Sequence, residues 1–183
     1  GSAGAYSQIA GQRHFAERPG ELQFLGFSSF KETLQAVQEG RARYAMLPVE
    51  NSTAGSVTEA YDLLGDSSLS AVGEEVLRIE HCLVAVESVP IESIRRIVSH
   101  PQALAQCGEF IDSLPRCQAE SYTDTAMAVE RIVRERDLSQ AAIASEEAAQ
   151  LHGLTVIRRG IANVAENYTR FLVVARDPLR CNL

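Results

Sequence analysis

The feature that most constrains this chain is the alternation of helical and strand patterns along its whole length. Ser29 and Glu32 make a capping box, Phe30, Leu34 and Val37 form one apolar stripe, and Gly40 supplies a stop, which predicts a helix over 29–39. Tyr44 to Val49 then reads as a buried strand. The rhythm repeats with a helix over 57–64, a long strand over 76–86, and a short strand at Ile97-Val98. A helix over 101–114, a strand over 119–122 and a helix over 125–135 follow. Strand 141–144, a short helix capped by Ser145 and ended by Gly153, strand 155–157 and strand 169–175 complete the pattern. Such alternation predicts a layered α/β architecture with mainly parallel sheets.

In the long strand Arg78 and Glu80 lie opposite Leu77 and Ile79, a length and pattern that suit a segment passing between two lobes. No Pro/Gly/Ser-rich linker divides the chain, so two lobes would be joined by strands crossing near 74–78 and 154–160. That places 1–75 with 158–183 in the first lobe and 76–157 in the second. With 183 residues, 45% of them apolar, the chain can bury a core as one domain or two small lobes.

Composition excludes several functions. A net charge of −7 without a Lys/Arg run argues against a nucleic-acid partner. No apolar stretch reaches the length of roughly 18 residues needed to span a bilayer, and the first residues do not read as an export signal, so no membrane partner is expected and the cytoplasm is the default compartment. Cys82, Cys107, Cys117 and Cys181 show no CxxC spacing and read as buried thiols, with no metal site among them.

Four motifs fall near strand ends: Gly1-Ser2-Ala3-Gly4-Ala5-Tyr6-Ser7, Pro48 to Gly55, Ser99-His100-Pro101-Gln102 and Asn167-Tyr168-Thr169-Arg170-Phe171. The last puts a hydroxyl and a fixed cation at adjacent positions. Arg170 has the planar fork that grips a carboxylate bidentately, or it serves a surface ion pair. Asn51, Ser52 and Thr53 follow a strand and precede a helix, where they could face an anion, cap the helix, or both. Glu50 either orients Asn51 and Arg170 or holds a proton. Ser99 and Gln106 could both reach a cleft between lobes, whereas His100, between Ser99 and Pro101, reads as structural, as do His81 and His14.

Together and in this order, the motifs resemble prephenate dehydratase over nearly the whole chain. The resemblance implies a catalytic domain of two small α/β lobes, like a type II periplasmic binding protein, with the substrate cleft between them. It also implies a cytoplasmic homodimer that needs no cofactor and converts the dianion prephenate to phenylpyruvate, carbon dioxide and water. It gives Thr169 the hydroxyl-leaving role with Arg170 and Glu50 beside it, and substrate contacts to Ser7, Asn51, Ser52, Thr53, Ser99, Gln106, Thr125 and Phe171. Where the family shows Ser-Thr-Ala this chain has Asp124-Thr125-Ala126; Asp124 is a good helix cap but would repel a carboxylate. Its Gly-Pro pair appears as Gly1-Ser2, and the strand before that pair is missing, which suggests trimmed residues. The Glu-Ser-Arg-Pro motif of the family's regulatory ACT domain is absent too, so the resemblance is to the catalytic portion, with chorismate mutase and ACT domains possible in a parent chain. Arogenate dehydratase, or a solute-binding module sharing the fold, are the competing expectations.

Overall fold

In a computed structural model, residues 5–123 and 125–177 are described. The elements run in chain order as α1 (Tyr6–His14), α2 (Phe30–Gln38), β1 (Ala45–Asn51), β2 (Gly55–Ser56), α3 (Thr58–Gly65) and β3 (Ser70–Arg78). Then come β4 (Cys82–Ala85), β5 (Arg96–Ser99), α4 (Pro101–Gln106), α5 (Gly108–Asp112) and β6 (Gln118–Ser121). The chain continues through α6 (Thr125–Glu135), β7 (Gln140–Ala144), α7 (Glu146–Leu151), β8 (Thr155–Arg158) and β9 (Tyr168–Ala175).

Two compact units result, one comprising Gly1–Arg78 with Glu166–Leu183 and the other Ile79–Ala165. Residues 158–165 fall in the second unit because β8 pairs with β4 there, so the return crossing comes later than the sequence suggests. The long strand expected over 76–86 is two strands in two sheets: β3 ends at Arg78, and Cys82 opens β4.

The first unit holds a four-stranded sheet in the order β2-β1-β9-β3, antiparallel at every pairing. The expectation of mainly parallel sheets fails here for a topological reason. Arg78, the last residue of β3, pairs with Tyr168, the first of β9, so the chain leaves and re-enters the sheet at one end and must run back antiparallel. In the second unit the order is β6-β5-β7-β4-β8, with β5 parallel to β6 and β7 while β4 runs antiparallel to β7 and β8. The parallel pairs are those whose strands are linked through α4, α5 and α6, since a parallel connection needs a crossover.

Local chemistry explains the elements. Ser29 accepts from the Glu32 backbone N–H and the Glu32 carboxylate accepts from Ser28, so the expected capping box closes through Ser28 on its return side. The helix expected over 101–114 breaks at Cys107, which ends α4 and precedes α5 in a non-helical conformation. The sequence gives little sign of α1, because Gly11 weakens its middle. Packing calls for that glycine: a Cβ there would lie 3.0 Å from Phe24 Cε1 and 3.3 Å from Met46 Cγ.

The core of the first unit joins Leu34 and Val37 of α2, Leu47 and Val49 of β1, Ala60 of α3 and Val174 of β9. Full burial of one such leucine contributes about 1.5–3 kcal/mol. In the second unit β4 alternates between two clusters, with Cys82 and Val84 against α6 residues Ala128, Val129 and Ile132, and Leu83 and Ala85 against Ile97, Ile111 and Ile143. A sheet covered on both faces requires the apolar runs that β4 and, from Ala141 on, β7 show.

Candidate active site

The first unit gathers a polar cluster where β1 meets β9. Up to Pro48, opposite Phe171, the two strands stay in register; a bulge then lets three steps on β1 match two on β9, giving the pairs Glu50–Arg170 and Asn51–Thr169. The extra residue decides which side chains meet. Asn51 Nδ2 donates to Thr169 Oγ1 at 2.9 Å and to Asn167 Oδ1 at 2.8 Å. Asn51 Oδ1 accepts from the backbone N–H groups of Thr53 and Ala54, both at 2.9 Å, and from Thr53 Oγ1 at 2.6 Å. Every polar atom of the Asn51 amide is thus engaged.

Asn51, Ser52 and Thr53 are not at a helix N-terminus, which corrects the sequence expectation. They form the turn between β1 and β2, closed by Gly55 at φ +84, and α3 starts only at Thr58. Ser52 extends the ladder instead: its N–H donates to the Tyr168 carbonyl and its Oγ accepts from Tyr168 N–H, each at 2.9 Å. This clamps the backbone just before Thr169.

Thr169 and Arg170 leave β9 on opposite faces, as successive strand residues must. Arg170 Nε donates to Glu74 Oε2 at 2.7 Å, and its Nη1 lies 3.5 Å from Glu50 Oε2. The Glu74 hydrogen bond and charge, then Glu50, push the guanidinium above its ordinary range. Glu50 Oε1 also accepts from Tyr61 of α3 at 2.8 Å, and that bond raises the Tyr61 phenol. Glu50 and Arg170 are therefore brought together, with Glu74 and Tyr61 as partners the sequence did not single out. Phe171 is 2% exposed and lies on the same face of β9 as Thr169. Ser7 lies on α1, which packs on β1 and β3, and is half-buried.

The remaining expected residues belong to the second unit. Ser99 is fully buried at the end of β5, and its hydroxyl donates to the Ile143 carbonyl at 2.8 Å, binding β5 to β7. Gln106 ends α4; its Oε1 lies 2.7 Å from Nε2 of the buried His81. Burial pulls the His81 imidazole below its ordinary range, and the Gln106 bond opposes that. Asn163 secures the same corner by donating its N–H to the Gln106 carbonyl at 2.7 Å and accepting from Glu109 N–H, so its side chain tethers the first turn of α5. His100 caps α4 by accepting from Gln102 N–H, which gives it the structural place expected. Thr125 opens α6, while the Asp124 cap, the Gly1-Ser2 pair and Cys181 lie outside the described residues. Among the described residues no three His, Cys, Asp or Glu side chains cluster as a metal site would require.

Set beside known proteins, residues 1–179 match the family model described as prephenate dehydratase. The chain belongs to the prephenate dehydratase family. It is 36% identical over 179 residues to the bifunctional chorismate mutase/prephenate dehydratase of Escherichia coli K12, covering 98% of this chain and 46% of that protein. It is 41% identical over 180 residues to arogenate dehydratase 5, chloroplastic, of Arabidopsis thaliana, covering 98% and 41%. The chain thus spans about half the length of the curated relatives it matches. Among solved structures, the prephenate dehydratase of Arthrobacter aurescens in complex with L-Phe superposes with a TM-score of 0.82 at 28% identity, covering 97% of this chain and 59% of that one. GqqA, described as a novel type of quorum quenching acylase, gives 0.83 at 38% identity, covering 97% and 63%. The α/β class read from the alternation is shared with the A. aurescens dehydratase.

Proposed function

We propose that this chain catalyses the decarboxylating elimination of water from prephenate to phenylpyruvate, as a lyase of phenylalanine biosynthesis. The observation that carries the reading is the bond from Asn51 Nδ2 to Thr169 Oγ1, which occupies a lone pair of the hydroxyl and leaves its proton to be given to another oxygen.

Prephenate brings a ring carboxylate, a pyruvyl carboxylate and a ring hydroxyl. The bond from the ring to its carboxylate breaks, and its electron pair enters the ring as the ring becomes aromatic. The ring C–O bond breaks in the same elimination, and its oxygen leaves with one proton taken up, as water. Carbon dioxide carries off the first carboxylate, so two negative charges become one. A hydrogen bond donated to the departing oxygen lowers the barrier, an effect worth roughly two to four decades of rate. Thr169 is the donor, and because a threonine hydroxyl is a very weak acid, its help comes from placement, with its proton restored from solvent.

Arg170 leaves β9 on the face opposite Thr169, so in this reading it stays paired with Glu50 and Glu74 and holds the β1–β9 pairing behind the hydroxyl. Ser52 and Thr53, in the turn beside Thr169, and Ser7 of α1 supply polar contacts in this reading, and the buried Phe171 packs on the same face of β9 as Thr169. An acylase chemistry at Thr169 is disfavoured, since a nucleophilic hydroxyl needs a base to take its proton and the Asn51 amide nitrogen only donates. We place the enzyme in the cytoplasm as a homodimer, as the resemblance of its motifs implies.

Incubating the purified chain with prephenate and, separately, with arogenate tests the assignment. Phenylpyruvate from prephenate is the expected product. Phenylalanine from arogenate alone would reassign the substrate, and neither product would refute the enzyme.

A further inference from the structure

Asn167 is 1% exposed, immediately precedes β9, and has no place in the chemistry described so far. Its importance follows from the direction of the hydrogen bonds around Asn51. Two of the groups that reach Asn51 Oδ1 are backbone N–H groups, of Thr53 and Ala54, and a backbone N–H can only donate. That end of the amide is therefore oxygen, and the other end is the NH2. The NH2 can only donate, so the atom of Asn167 facing it at 2.8 Å is the carbonyl oxygen and Thr169 Oγ1 at 2.9 Å is an acceptor. Two unambiguous backbone donors thereby fix the polarity of the cluster up to the hydroxyl.

We infer that Asn167 is a positioning residue: its side-chain oxygen holds one hydrogen of the Asn51 amide so that the other remains on Thr169 Oγ1, which keeps the Thr169 proton turned away from the protein and toward the departing hydroxyl. The inference rests on the proposed dehydratase reaction at Thr169. The terminal torsion of an asparagine is a broad, soft rotor, so the amide plane has to be held by its partners. The turn fixes its oxygen end, and Asn167 together with Thr169 fixes the nitrogen end. Burial makes the Asn167 acceptor hard to replace by water. Without it the Asn51 amide can tilt, and the Thr169 hydroxyl can spend its proton inside the cluster.

Three variants test this with steady-state kinetics on prephenate. Asn167→Ala should lower kcat about tenfold while KM stays within about twofold, the signature of an interaction used in the transition state. Asn167→Asp, which keeps an acceptor oxygen at the same place, should lose less. In a Thr169→Ala background Asn167→Ala should lower kcat no further, because the residue acts only through that hydroxyl. Should Asn167→Ala fail to fold, Asn51→Asp carries the test: it keeps the acceptor for the turn but makes Thr169 the donor, and should lose kcat at least as severely. An unchanged kcat in Asn167→Ala or Asn51→Asp, an Asp variant no better than Ala, or an equal further loss in the Thr169→Ala background overturns the positioning role. A wild-type chain that does not convert prephenate overturns the functional reading and this role with it.

Discussion

Asn51 and Thr169, 118 positions apart, meet at 2.9 Å as cross-strand partners just beyond a bulge in β1. The bulge aligns them: counted straight from Pro48 opposite Phe171, the partner of Thr169 would be Glu50, which lies beside Arg170 instead. One extra residue therefore separates two chemistries on two faces, a neutral amide–hydroxyl cluster on one and an Arg–carboxylate cluster on the other.

Thr169→Ala is expected to lower turnover of prephenate by at least about a hundredfold with KM within a few fold, since it removes leaving-group assistance and little ground-state binding. Thr169→Ser should retain measurable activity. Normal kcat in the alanine variant would reject Thr169 as the proton donor.

Arg170→Lys and Arg170→Ala should both leave KM for prephenate within about threefold, because the guanidinium lies on the face opposite Thr169 and pairs there with Glu50 and Glu74. Their folding stability should change little, because the pairs with Glu50 and Glu74 are well exposed. Steady-state kinetics beside a urea titration checks this; a large rise in KM in either variant would show that Arg170 reaches substrate.

Ser99→Ala should act on stability. The buried hydroxyl satisfies the Ile143 carbonyl, and removing it should cost about 1–3 kcal/mol with KM nearly unchanged. A large rise in KM at unaltered stability would mean that Ser99 reaches substrate.

His81 predicts a pH dependence. Its folded pKa lies below that of the free imidazole, about 6.5, so the unfolded chain takes up this proton first as pH falls. The contribution is fully present above the unfolded pKa and is lost progressively as pH falls through the window down to the folded value. Thermal melts from pH 8 to 5 should show a shallower acid loss in His81→Gln than in wild type; parallel curves would refute the assignment.

Burial raises the Cys82 thiol to about 11 and the Cys107 thiol to about 12. At pH 8 both should resist iodoacetamide in the native protein and react rapidly in denaturant. Mass mapping of modified peptides checks this, and fast native labelling at either would refute it.

Local patterns made much of this protein legible. Helix α2 follows from its capping box and stripe, α6 runs over the residues its periodicity indicates, and β9 is within one residue of its expected start. The Thr-Arg-Phe and Glu-Asn-Ser-Thr motifs carried the family, because a motif is a local string. What the tertiary structure alone decided depends on partners distant in sequence. The antiparallel run of β9 follows from where the chain re-enters the first sheet, and the break at 79–81 from β3 and β4 joining different sheets. The turn at Asn51 to Ala54 could pass for a helix start because its residues suit both, until Glu50 and Asn51 pair with β2. Ser99 and Phe171 looked available, yet burial is a property of neighbours that periodicity cannot count. Asn167 gave no signal beyond its place near Thr169, because the direction of its hydrogen bond is set by backbone donors more than a hundred residues away.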